Sequence, residues 1–109
     1  MRIATLIAGG LLAAALVAAP AQAQPEGDPQ AGKEKAFQCL GCHADETYGN
    51  VYPSYHVPRV GGQQAQYIVS ALKEYKAGKR NHPTMKAQAS SLSDQDIRDI
   101  AAFFSQQSP

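Results

Sequence analysis

"FQCLGCH", Phe37 to His43, sets two cysteines three positions apart and places a histidine directly after the second. Four chemistries compete for such a cluster. A thioredoxin-like dithiol wants a βαβ setting, and this chain shows no strand alternation to supply one. A structural disulfide across three residues closes a tiny loop and constrains little. Zinc wants four ligands, and His43, adjacent to Cys42, is badly placed to share a metal with it while His56 and His82 supply the rest. The pattern C-x-x-C-H of c-type haem attachment uses all three residues at once. At a helix end, Cys39 and Cys42 meet the two vinyl groups as thioethers and His43 is directed at the iron. The ring then binds through one nitrogen and needs a partner for the other.

Upstream, "MRIATLIAGGLLAAALVAAPAQAQ" carries Arg2, an uncharged apolar run from Ile3 to Ala19, and Ala21-Gln22-Ala23. This is the pattern of a secretory signal peptide with an A-x-A cleavage site. The run is short of the roughly 20 residues needed to span a bilayer. The expected organisation is a cleaved leader, 1–23, followed by one domain, 24–109, exported to the periplasm. A domain of that size buries only about 60–65% of its unfolded surface, so a cofactor is expected to complete its core. Without Arg2, nine Lys and Arg face nine Asp and Glu. A neutral balance of this kind argues against a nucleic-acid partner.

Three helices follow from capping and periodicity. In "DPQAGKEKAFQC", Asp28 caps, Pro29 suits the first turn, and Gly32, Ala36 and Cys39 fall near one face. In "GQQAQYIVSALKEYKAGK", Tyr67, Ile68, Ala71, Leu72 and Tyr75 recur at helical offsets and Gly78 is the stop signal. In "LSDQDIRDIAAFFSQQ", Ser93 caps, Asp96 completes a box-like pattern, and Ile97, Ile100, Ala101 and Phe104 form the apolar stripe. The fold class is therefore all-α. Leu40–Gly62 and Lys79–Leu92 read as long irregular segments, which in a small domain suggests wrapping around a cofactor.

A second axial ligand is sought in the latter segment. Once the leader is removed, Met85 is the only methionine, in "GKRNHPTMKAQ". Its thioether would favour reduced iron and raise the potential, whereas His82 or His56 would lower it. Met85 is the leading candidate, with His82 its rival and His56 a more distant one.

Taken together, "GDPQAGKEKAFQCLGCH", "PRVGGQQAQYI", "LKEYKAGKR" and "MKAQASSLSDQDIRDIAAFF" resemble, in order and spacing, a class I c-type cytochrome. The type is the small bacterial periplasmic monohaem one related to the repeat unit of dihaem cytochromes. The resemblance implies crossing N- and C-terminal helices plus a third helix around one covalently bound haem. It implies that Gly32 sits at the crossing and lets Ala101 and Phe104 approach. It also implies that the Pro58 carbonyl accepts the free ring N–H of His43 and that Arg80 contacts a haem propionate. The chain departs from the family in "ADETYGNVYPSYHV", slightly longer and rich in tyrosine, which leaves the covering of the haem edge near Tyr52, Tyr55 and His56 open.

With both axial positions filled by the protein, the expected function is a periplasmic one-electron carrier rather than an enzyme, with haem c joined through Cys39 and Cys42. Its partners would be redox donors and acceptors, membrane-bound respiratory complexes among them. No small-molecule substrate is expected, and the oligomeric state is expected to be a monomer or a weak dimer. The alternatives are a haem-based sensor or catalytic protein with a labile sixth ligand, and an electron-input subunit of a larger oxidoreductase.

Overall fold

The structure is a computed structural model that describes residues 26–44, 49–51 and 54–109. The expected leader and Tyr52 lie outside the described residues, as does the side chain of Tyr55. Among the described residues, five helices and one short hairpin follow in order: α1 (Pro29–Lys35), α2 (Phe37–His43), β1 (Gly49–Val51), β2 (Ser54–His56), α3 (Ala65–Lys76), α4 (Pro83–Ser90) and α5 (Asp94–Ser105).

The N-terminal helix begins as its sequence dictates, with the Asp28 carboxylate accepting the Gln30 N–H at 2.9 Å and Pro29 in the first turn. It is not one helix to its end. Ala36 relaxes to φ −78° and ψ 0° and divides it into α1 and α2. Backbone bonds from Ala36 N–H to Gly32 O and from Leu40 N–H to Ala36 O carry across the break, so α2 continues the same line toward His43. Gly78 ends the second expected helix, now α3, at φ +73°, a left-handed position that glycine takes without steric cost. In front of α5 the Ser93 side chain takes the Asp96 N–H and the Asp96 carboxylate takes the Ser93 N–H, a complete capping box.

The core gathers Ala36, Ile68, Leu72 and Ala89 against Ile97, Ile100, Ala101, Phe103 and Phe104 of α5. Packing of α1 on α5 is close enough to exclude side chains. A methyl group on Gly32 would fall 1.9 Å from the Asp99 carbonyl oxygen and 2.9 Å from the Phe103 Cβ. Gly32 thus does mark the helix crossing, but the atoms nearest to it belong to Asp99 and Phe103, two positions before Ala101 and one before Phe104.

Asp99 is the one buried acid among the described residues, 3% exposed. It ties the two terminal helices together by accepting from the Asp28 N–H at 2.8 Å, from Lys35 Nζ at 2.6 Å and from Gln95 Nε2 at 2.7 Å. Burial pushes its carboxyl upward, but these bonds outweigh burial and hold it below the usual carboxylate range. Asp96, also paired with Lys35 at 2.8 Å, is lowered to about 2, chiefly by that lysine and secondarily by Ser93.

The two segments expected to be irregular both contain regular structure. In the first, α2 runs on to His43, and a hairpin pairs Gly49 with His56 and Val51 with Ser54 in antiparallel register. In the second, eight residues form α4, so Met85 stands on a helix rather than in a loop. The helical class is unchanged by three-residue strands.

Candidate functional site

The residues singled out around the cysteine cluster converge on one cavity of about 750 Å³. Cys42 and His43 reach it from the end of α2, Pro58 and Val60 from the loop that follows the hairpin, Tyr67, Ile68, Leu72 and Tyr75 from α3, and Arg80, His82 and Met85 from the turn into α4. A cavity of this size with apolar walls and a few convergent polar groups is what a cofactor requires. Cys39, one turn before Cys42, is half-buried against the core. Burial pushes its thiol up, a smaller opposing effect coming from its own backbone.

His43 is held by one backbone contact, Nδ1 to the Pro58 carbonyl oxygen at 2.7 Å. A carbonyl only accepts, so Nδ1 carries the proton and donates, and Nε2 keeps its lone pair for a metal. The loop that brings Pro58 there is moored at its far end, where the Gly62 N–H donates to the Phe104 carbonyl oxygen at 2.9 Å with Gly62 at φ +77°.

His82 also lines the cavity, but its Nδ1 accepts the Met85 N–H at 3.3 Å and so caps α4. In that arrangement the neutral ring carries its proton on Nε2. The two histidines are therefore set by backbone partners into opposite tautomers, and only His43 presents a bare Nε2. Met85 is half-buried and packs on the core cluster as well as on the cavity. The polar neighbours Thr84 and Lys86 conceal that packing in the sequence. His56, on β2, is exposed and is not among the cavity-lining residues. Arg80 lines the cavity with its guanidinium 4.5 Å from the centroid of the Tyr75 ring, a cation–π contact.

Tyr75 and its neighbours are the part of the site that residue-by-residue reading missed. Tyr75 appears in the sequence only as one position of an apolar stripe, yet it carries Arg80 on its face and meets His82 edge-on at 6.1 Å and 77°. Tyr67, read as part of the same stripe, is 56% exposed and faces the cavity rather than the protein core.

The donor set fits a haem. Two cysteine sulfurs stand at a helix end, an imidazole is orientated by a carbonyl, and a thioether shares the apolar-walled cavity. Comparison with known proteins agrees. A family model described as cytochrome c matches residues 29–108. The chain is 42% identical over 84 residues to cytochrome c-554(548) of Halomonas halodenitrificans, covering 74% of this chain and 98% of that one. It is 39% identical to cytochrome c4 of Pseudomonas aeruginosa over 78% of this chain and 41% of that one. The fold superposes on the reduced cytochrome c4 of Pseudomonas stutzeri with a TM-score of 0.57 at 28% identity, over 76% of this chain and 51% of that one. The chain thus spans nearly all of the first relative and about half of the cytochromes c4. It belongs to the cytochrome c family, and its cofactor is one haem c joined through Cys39 and Cys42.

Proposed function

We propose that this chain is an exported, periplasmic one-electron carrier whose haem iron is held by His43 and Met85. A haem bound in this cavity supplies ferric/ferrous chemistry. The chain's own residues supply the rest. His43 presents a lone pair fixed by Pro58, and Met85 offers a soft thioether that favours the ferrous form. Together these two side chains would hold the iron, which would then supply one-electron chemistry rather than a binding place for a substrate. Val60, Ile68 and Leu72 exclude water, while Arg80, at the cavity wall, is suited to balance a propionate.

The observation that carries this reading is the opposed pair of tautomers. His43 has Nδ1 engaged as a donor and Nε2 bare, whereas His82 has Nδ1 engaged in capping the helix that bears Met85. Export rests on the leader-like segment 1–23; no described helix is long and apolar enough to cross a membrane. The partners are redox proteins that exchange single electrons with the chain.

Met85→Ala tests the ligand. Removing a half-buried methionine costs about 1–2 kcal/mol, less than the 2–5 kcal/mol of a fully buried one, so the holoprotein stays folded. Its reduction potential is expected to fall, and the ferrous form is expected to bind CO rapidly where the parent scarcely does. An unchanged potential and CO affinity in Met85→Ala, with both altered in His82→Ala, would replace Met85 by His82 as the ligand.

A further inference from the structure

We infer that His82 is the positioning residue for Met85: its imidazole caps α4 through Nδ1 and thereby fixes where the thioether stands. The inference rests on the reading of Met85 as axial ligand. Met85 is the third residue of α4, and the N–H that His82 accepts belongs to Met85 itself. The backbone from which the sulfur hangs is therefore held by the cap directly. Pro83, first in the helix, has no N–H to offer. The His82 carbonyl in turn accepts the Lys86 N–H at 2.9 Å, so one residue closes the first turn with both its side chain and its backbone.

A helix of eight residues depends on such a cap. Isolated helices this short are marginal in water, and α4 contributes only Ala89 to the fully buried core. Imidazole is not among the favoured capping groups, which are short oxygen-bearing side chains. What the ring adds is reach and stiffness. It meets the edge of Tyr75, which is fixed on α3 and carries the Arg80 guanidinium on its face. The turn between α3 and α4 is pinned as well, with Lys79 N–H and Gly78 N–H donating to Glu74 O and Tyr75 O. The position of Met85 is thus referred back to α3 through the aromatic contact of His82 and its N–H···N bond.

The experiment compares His82→Ala, His82→Asn and Met85→Ala as purified holoproteins. Three quantities are read: the CO association rate of the ferrous form, the sulfur-to-iron charge-transfer absorption of the ferric form, and the reduction potential. Loss of a cap is worth about 1 kcal/mol, a population factor of about five. His82→Ala should therefore bind CO about fivefold faster than the parent, because the thioether is off the iron about five times more often. The asparagine oxygen can accept the same N–H, so His82→Asn should stay within about twofold of the parent. Both should keep the parent's potential and absorption band, since the thioether remains bound most of the time, whereas Met85→Ala should lose both.

If His82→Ala matches the parent while Met85→Ala changes as expected, the positioning role is refuted and the Met85 ligand stands. If His82→Ala and His82→Asn are equally fast, the capping bond is not what matters, and the inference fails in that form. If both His82 variants lose the band and shift the potential while Met85→Ala does not, His82 is the ligand and both readings fall. Should His82→Ala fail to retain haem, His82→Asn decides alone: parent-like CO binding supports the cap, and fast binding overturns it.

Discussion

Substituting Gly32 by alanine sets two opposed effects against each other, and the structure says which is larger. In an exposed helix the change would stabilise by about 0.5–1 kcal/mol, because alanine loses less backbone freedom on folding. Here the new Cβ would stand 1.9 Å from the Asp99 carbonyl oxygen, against the 3.4 Å at which ordinary contact begins. The obstacle is backbone, so α5 must retreat by the difference, about 1.5 Å. A radial gap of even 0.5–1 Å forfeits a quarter to a half of the dispersion energy of the atoms that face it. Overpacking of this kind costs up to about 3 kcal/mol or more. The net destabilisation is about 2 kcal/mol, or a Tm lowered by roughly 8–16 °C for a domain of this size. Thermal unfolding of the holoprotein, followed by far-ultraviolet circular dichroism, measures it. Gly41→Ala is the internal control, because a Cβ there meets nothing within 4 Å; its Tm should rise by about 2–8 °C through the propensity gain alone. A Gly32→Ala Tm at or above that of the parent would refute the close crossing of α1 and α5.

Replacing both Cys39 and Cys42 by alanine should leave the chain largely unfolded, because the walls of a cavity of about 750 Å³ then have nothing between them; cooperative, native-like helicity without haem would contradict this. The carboxyls of Asp96 and Asp99 are both lowered in the folded state, so the stability they contribute is present above about pH 4, the unfolded value. It is lost as pH falls through the folded values, about 2 for Asp96 and below the usual carboxylate range for Asp99. Tm measured from pH 6 to pH 2 should therefore drop more steeply in the parent than in Asp96→Asn/Asp99→Asn, and parallel curves would sink the idea. From Arg59 to Lys86 the chain has six basic residues and one acidic residue. Electron transfer with an acidic redox partner should slow as ionic strength rises from about 0.01 to 1 M, over which the screening length contracts from about 30 to 3 Å; a flat profile would exclude steering by this segment. The effective patch is smaller than the count suggests, because Lys73 lines a separate cavity between α3 and α5 and Lys76 donates to the Leu92 carbonyl.

What the sequence made legible was local or periodic. Asp28-Pro29, the Ser93/Asp96 box and the stripe through Ile97, Ile100, Ala101 and Phe104 each depend on residues within a few positions of one another, and each appears in the structure. C-x-x-C-H is likewise a local signal. The helix α4 escaped because "PTMKAQAS" has no apolar stripe, although Pro83 after His82 was the available start signal. The neighbours of Gly32 were displaced because the meeting of two helices depends on their packing register, which periodicity along one of them does not contain. Asp99 carries no local signal of burial, because its partners Asp28 and Lys35 lie 71 and 64 residues away. Pro58 was reached through family resemblance, since no feature of a proline in a loop announces that its carbonyl will meet a histidine.

The mooring of the Pro58 loop to Phe104 gives the molecule a definite order of failure. The carbonyl that aims the His43 imidazole belongs to a segment whose far end is tied to the last turn of α5 across 42 residues of chain. Helix ends are where opening begins, at far lower free energy than global unfolding. Fraying of that last turn takes little from the total helix content, but it frees the loop and lets the imidazole rotate. On warming, the iron environment should therefore change before the secondary structure does. Amide exchange at Gly62 should keep pace with the first of those changes rather than the second.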